Sequence, residues 1–155
     1  MQLLASCNLF QGLSETQLQR LADITKEMQI EKGEWLFQEG QEANGLFILK
    51  EGAVELLTKV DDDFELPIAM QREPGMFFGT SALTAPYVYS LSARCADKST
   101  VLVIEKEELQ RLIQEDRDLG YIIMTNWASH LLNRLKETRQ ELKIHFKTLF
   151  KSMHS

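Results

Sequence analysis

The chain has 155 residues, of which 44% are hydrophobic and 26% charged, and a net charge of −6. That length suits one domain with one appended element, and that composition supports a packed core and excludes a disordered chain. The acidic balance excludes a protein whose whole surface is a basic nucleic-acid-binding face. No run approaches the roughly 18 apolar residues of a membrane span. Residues 1–7 lack the basic region and apolar stretch of a secretory signal, so a cytoplasmic location is expected. Cys7 and Cys95 stand far apart and fit no metal or redox spacing, which leaves two packed, reduced thiols.

Residues 1–25 read as helical. Leu3, Leu4 and Cys7 share one face of a short first piece, followed by Leu9 and Phe10. Ser14 ahead of Gln17 has the spacing of a capping box, and Leu18, Leu21, Ala22 and Ile24 follow at helical intervals. From residue 26 the period shortens: Met28 and Ile30 alternate with Gln29 and Glu31. Glycines then cut residues 33–79 into short segments. The runs 46–49, 53–57 and 66–70 have strand character, and Asp61-Asp62-Asp63 marks a solvated hairpin tip. Residues 88–95 and 100–104 complete the strands. Many short strands with glycine punctuation predict a jelly roll or barrel.

Residues 107–115 form a helix with Leu109, Leu112 and Ile113 on one face. From Asp118 to about Phe150 the chain reads as one long helix. Met124, Ala128, Leu131, Leu135, Thr138, Leu142, His145 and Leu149 recur in alternating steps of four and three, a heptad seam. About 30 helical residues span roughly 45 Å, more than so small a domain can cover. The seam therefore predicts a parallel homodimer, and divides the chain into a domain at 1–116 and a dimerisation helix with its tail at 117–155. Arg139, Lys143, Lys147 and Lys151 form a basic stripe beside Phe146, Leu149 and Phe150. It reads as the solvated flank of a coiled coil, the alternative being docking to an acidic partner or an anionic membrane surface.

The stretch Phe77-Phe78-Gly79-Thr80-Ser81-Ala82-Leu83, answered by Tyr89-Ser90-Leu91-Ser92-Ala93, organises the rest. A strand end runs into a glycine and then into a small-residue turn able to start a helix, where backbone N–H groups make an anion site. In the following strand, alternation puts Tyr89, Leu91, Ala93 and Cys95 on one face and Ser90, Ser92 and Arg94 on the other.

Helices, a glycine-cut jelly roll and a long dimer helix follow the order of a cyclic-nucleotide-binding domain, and the residues agree. Leu9-Phe10-Gln11-Gly12-Leu13-Ser14 resembles the opening of that family. Gly33-Glu34-Trp35-Leu36-Phe37-Gln38-Glu39-Gly40 resembles its second signature, and Leu46-Phe47-Ile48-Leu49-Lys50-Glu51-Gly52-Ala53-Val54 the strand pair around its central turn. Phe78-Gly79-Thr80-Ser81-Ala82-Leu83 is similar to the phosphate-binding cassette. The resemblance covers residues 9–116 and continues into the dimer helix in the manner of the catabolite activator group. It implies a mainly β fold with flanking helices, a double-stranded β-helix (jelly roll). It places a ligand at Phe78, Gly79, Thr80, Ser81, Ala82, Tyr89 and Ser90, with Phe47, Val54 and Leu91 as further apolar lining. Thr138, on the seam, would stand where the family's dimer helix brings a polar residue to the nucleotide base.

Two positions depart from the family pattern. An acidic residue there follows the cassette glycine and holds the ribose 2′-hydroxyl; Thr80 occupies that place. An arginine ten residues after the glycine clamps the cyclic phosphate; Tyr89 stands there instead. An arginine offers charge and a planar fork, whereas tyrosine offers one neutral hydroxyl. At roughly 1.5–3 kcal/mol for a charge-assisted bond, loss of the arginine alone weakens cyclic-nucleotide binding by about ten- to a hundredfold. By alternation Arg94 points outward and does not replace it. The pocket is then altered for a less anionic, larger or ring-stacked ligand, or vestigial, with classical cyclic AMP or cyclic GMP binding as the third alternative.

Family transcription factors continue into a helix-turn-helix domain, whereas this sequence stops at Ser155, so no sequence-specific DNA binding is expected. His130, His145 and His154 all follow the strands, so no histidine cluster of a cupin-type metalloenzyme and no nucleophile–histidine set can form in the barrel. A haem axial ligand would have to be His130. The expectation is a non-enzymatic, ligand-sensing regulatory module with no resident metal or cofactor, taking a nucleotide or another small molecule and signalling through the dimer helix to a protein partner. The alternative is a ligand-free dimeric scaffold.

Overall fold

The computed structural model describes residues 2–154; Met1 and Ser155, at the ends of the two terminal segments, lie outside them. The N-terminal helical region is broken into α1 (Gln2–Ser6), a 3-10 turn (Asn8–Phe10) and α2 (Glu15–Asp23). Ser14 caps α2 with the expected box: its Oγ accepts from Gln17 N–H at 3.1 Å, and its own N–H donates to Gln17 Oε1 at 2.8 Å.

Eight strands follow, with a 3-10 turn between the sixth and seventh: β1 (Thr25–Ile30), β2 (Trp35–Phe37), β3 (Gly45–Glu51), β4 (Val54–Asp61), β5 (Phe64–Gln71), β6 (Phe77–Phe78), β7 (Ser92–Cys95) and β8 (Ser99–Glu105). They build two four-stranded antiparallel sheets, ordered β1-β8-β3-β6 and β2-β7-β4-β5. This is the jelly-roll architecture expected. The Asp61–Asp63 stretch closes the β4–β5 hairpin, with Asp63 N–H donating to Asp61 Oδ1 at 2.9 Å.

Strand β3 reads as an unbroken apolar run because both its faces are buried. Phe47 and Leu49 point between the sheets with Phe37, Val54, Phe78 and Val103. Leu46 and Ile48 point the other way, into a second core with Leu4, Phe10, Leu21 and Leu109 from the helices. Gly52, at φ +108°, is where β3 turns into β4; a Cβ there would lie 2.3 Å from Ser99 Oγ and 2.6 Å from the Lys98 carbonyl.

Residues 88–95 are not one strand; only Ser92–Cys95 pairs in a sheet. Tyr87 has a positive φ of 57°, and the backbone of residues 87–89 bonds the loop at 40–43 instead of a ladder. The alternation expected across residues 88–95 therefore holds only in part. Tyr89, Ala93 and Cys95 are buried, but so is Ser92, whose Oγ accepts from Glu39 N–H at 2.8 Å. Arg94 does point outward: it pairs with Glu55 at 3.4 Å and lies over the Trp35 ring.

Two helices complete the chain, α3 (Lys106–Glu115) and α4 (Arg117–His154). At about 1.5 Å per residue the second runs for roughly 57 Å. Its first turns join the second core through Leu119, Gly120 and Ile123. Asn126 ties it to the N-terminal segment, its Nδ2 donating to the carbonyls of Leu9 (2.9 Å) and Gln11 (2.8 Å). Beyond His130 every described residue of α4 is exposed. No helix of the described residues is long and apolar enough to cross a membrane.

Candidate ligand-binding site

Strand β6 ends at Gly79, which turns the chain at φ +76°. The position admits little else: a Cβ would meet Phe47 Cδ2 at 2.9 Å and the Gly45 carbonyl at 3.1 Å. The chain then makes a single 3-10 turn, Thr80–Leu83, shorter than a helix that could gather a row of anion-binding N–H groups. Beside this turn opens a cleft of about 720 Å³. Its floor comes from the sandwich, through Phe37, Leu56, Ala69, Phe78, Tyr89 and Leu91, and hydroxyls come from Thr80, Ser81, Thr84 and Ser90. Its far wall is α4, which contributes Trp127, His130, Leu131 and Arg134.

Most expected ligand positions converge on this cleft. Phe78, Gly79, Thr80, Ser81, Tyr89, Ser90 and Leu91 line it. Ala82 does not: it is buried in the sandwich core, as are Phe47 and Val54, whose side chains pack between the sheets and leave no face to a ligand. Thr138 also lies outside. It is exposed one turn beyond Arg134, so the polar group that the helix offers to the cleft is the guanidinium of Arg134 and not a threonine hydroxyl.

Tyr89 is buried and its ring stacks on Phe37 with centroids 3.8 Å apart. Its hydroxyl donates to the Gly45 carbonyl at 2.7 Å and accepts from Gly45 N–H at 3.2 Å. Burial raises the phenol above its usual pKa, outweighing the backbone bonds from Gly45 and Asn44, so the group is neutral. It serves the sandwich and offers the cleft a ring face. Gln71 Oε1, on a residue that also lines the cleft, is a buried oxygen with no hydrogen-bond partner among the described residues.

The helix wall is aromatic. Phe77 and His130 have centroids 4.7 Å apart, and Trp127 stacks on His130 at 5.5 Å with planes 19° apart. Burial lowers the His130 pKa, and Arg134 lowers it further, with Glu137 pulling the other way. Among the described residues Arg134 pairs with Glu137, at 3.9 Å, with both side chains more than half exposed. Sequence reasoning missed this wall. Its signal was a second periodic face, Trp127, His130/Leu131 and Arg134, running one step beside the heptad seam.

The two cysteines are buried, free thiols; burial pushes Cys7 up to about 11 and raises Cys95 as well. Among the described residues no cluster of three or more His, Cys, Asp or Glu side chains is placed to hold a metal ion.

The jelly-roll sandwich thus opens, at the turn after β6, onto a cleft walled by a long C-terminal helix. The family model for the cyclic nucleotide-binding domain matches residues 27–116. The chain belongs to that family. It is 26% identical over 127 residues to the anaerobic regulatory protein of Bacillus subtilis (strain 168), covering 82% of this chain and 53% of that one. It is 29% identical over 112 residues to a cGMP-dependent protein kinase of Drosophila melanogaster, covering 71% of this chain but 12% of the kinase. Against solved structures it superposes on a protein of Geobacter metallireducens GS-15 described as a cyclic nucleotide-binding protein. That match has a TM-score of 0.71 and 32% identity, over 82% of this chain and 91% of that one. The catabolite activator protein of Thermus thermophilus shares the fold, with a TM-score of 0.75 and 24% identity over 88% and 62% of the two chains.

Proposed function

We propose that this domain is a ligand-sensing regulatory module with an altered phosphate-binding cassette, dimeric through α4. The cleft of about 720 Å³ carries the proposal, because its walls belong jointly to the sandwich and to α4. A ligand seated there touches both, so its affinity depends on where the helix stands and its binding biases that position. The module itself is not catalytic; its signal leaves along α4, to a partner or to whatever the helix is joined to.

Exposure along the seam supports the dimer. Leu131 and Leu135 are each 47% exposed and Leu142 67%, with Ala128 and Thr138 open on the same side and Met124 half-buried at its start. A second helix laid on this seam would remove a stripe of apolar side chains from water.

Thr80 and Tyr89 support the altered cassette: neither can hold a ribose hydroxyl or a cyclic phosphate as an acid and an arginine would. Burial of the Tyr89 ring and its bonds to Gly45 favour the second reading, a ligand-free scaffold. Against it, the cleft stays open with the ring in place.

Titration calorimetry of the native chain and of the Tyr89→Arg, Thr80→Glu double variant with cyclic AMP, cyclic GMP and cyclic dinucleotides separates these readings. The expectation is weak or no cyclic-mononucleotide binding by the native chain and a gain in the variant. Micromolar binding of cyclic AMP or cyclic GMP by the native chain overturns the altered cassette. A ligand that binds and leaves the hydrogen exchange of α4 unchanged overturns the switch.

A further inference from the structure

We propose that the cleft takes a planar, aromatic anion whose charge is held from α4 by Arg134 instead of from the barrel. This deepens the sensor reading and rests on it. Among the residues lining the cleft, Arg134 is the one permanent cation and Glu73 the one carboxylate. Apart from Glu73, on the connection between β5 and β6, the sandwich side supplies neutral groups: hydroxyls, the Gln71 amide and the ring face of Tyr89. The electrostatics of the cleft thus run from a neutral, apolar floor to a cationic helix wall.

Arg134 is free enough to take such a ligand. Its acidic neighbour Glu137 stands one turn on at 3.9 Å, a separation too long for a good hydrogen bond. A guanidinium offers a planar fork to a carboxylate or a phosphate. His130 one turn before it, Trp127 two turns before it and Phe77 of β6 form a cluster of rings with centroids 4.7–6.1 Å apart, a surface suited to a flat aromatic body. Anion and ring together match a heteroaromatic or aromatic acid better than a cyclic nucleotide, whose charge would meet Thr80 and Tyr89. Because Arg134, Trp127 and His130 belong to α4 and Phe77 to β6, such a ligand touches helix and sandwich at once.

The test uses the full chain, with 2-naphthoate, 2-naphthyl phosphate and the neutral 2-naphthamide as probes, read by calorimetry and tryptophan fluorescence. At least one anion is expected to bind about ten- to a hundredfold more tightly than the amide. Arg134→Gln should bring that anion and the amide level, and Arg134→Lys should restore part of the preference. Whichever anion prevails, carboxylate or phosphate, names the ligand's acid. Equal binding of anions and amide, survival of the preference in Arg134→Gln, or binding of none of the three probes overturns the proposal. Cyclic-nucleotide binding that persists in Arg134→Gln leaves the sensor reading standing while this one falls. Failure of the probes and of every cyclic nucleotide removes both.

Discussion

The two halves of α4 carry the same kind of sequence and meet opposite fates. Leu119, Gly120 and Ile123 are sealed in the second core, whereas Leu142, Phe146, Leu149 and Phe150 stand in solvent. Helical periodicity says that a face is apolar; it does not say what covers it. In the first half the cover is the chain's own sandwich and N-terminal helices. In the second half no described residue provides one. The helix is therefore an integral strut of the domain at its start and a free surface at its end, and the cleft lies at the junction of the two.

The comparison is tested hardest by matched truncations. Leu119→Ala removes a fully buried side chain and is expected to cost about 2–5 kcal/mol. Leu142→Ala, at a residue 67% exposed, should change the stability of the dilute chain by less than about 0.5 kcal/mol. Urea unfolding at two protein concentrations, with sedimentation equilibrium, checks both. If the variants cost the same in dilute solution, the two halves do not differ in cover. If Leu142→Ala leaves self-association untouched, the seam is not the dimer contact.

Gly120→Ala sharpens the same point with a smaller effect. A Cβ at this buried position would stand 2.6 Å from Ile113 Cγ2, on a stiff β-branched side chain. Overpacking costs about 1–3 kcal/mol, against a gain of about 1 kcal/mol in helix propensity. Thermal unfolding should show net destabilisation; a higher melting temperature would mean that α3 yields. Tyr89→Phe comes next, because it strips Gly45 of both its bonds to the hydroxyl. The expected cost is about 1–3 kcal/mol with the cleft unchanged in volume. An unaffected melting temperature would show that Gly45 finds other partners.

Much of this architecture was legible in the sequence. Ser14 and Gln17 announced the start of α2, and glycines such as Gly52 and Gly79 marked strand ends because they take a positive φ at least cost. Both-sided burial of β3 explains why its run of Leu46 to Leu49 showed no alternation and was still a strand. Residues 88–91 misled because their apolar–polar alternation mimics a ladder; the backbone of Tyr87 and Tyr89 bonds the loop at 40–43 instead. At the cleft the turn after β6 was legible from Gly79, while the helix wall escaped because its face overlaps the seam at Leu131. Two interleaved faces on one helix cannot be assigned to two covers by periodicity alone.

The smallest expected effect lies at that junction, in the protonation of His130. Phe77 and Trp127 enclose the ring, and Arg134 and Glu137 are its charged neighbours on the helix, with Glu73 elsewhere in the cleft. Burial first and Arg134 second lower its pKa below the ordinary 6.5. The unfolded chain therefore takes up a proton more readily than the folded one. The stability this contributes is complete above pH 6.5 and is lost as the pH falls from there through the folded pKa. His130→Gln should accordingly narrow the drop in melting temperature between about pH 7.5 and 5.5. An anion beside Arg134 relieves the smaller part of this shift, because it offsets the cation that disfavours the imidazolium, while burial still lowers the pKa. Binding of 2-naphthoate near pH 6.5 should then draw in protons, seen as a dependence of the calorimetric heat on the ionisation enthalpy of the buffer. Proton release on binding, or uptake that persists in His130→Gln, would place the anion away from the helix wall.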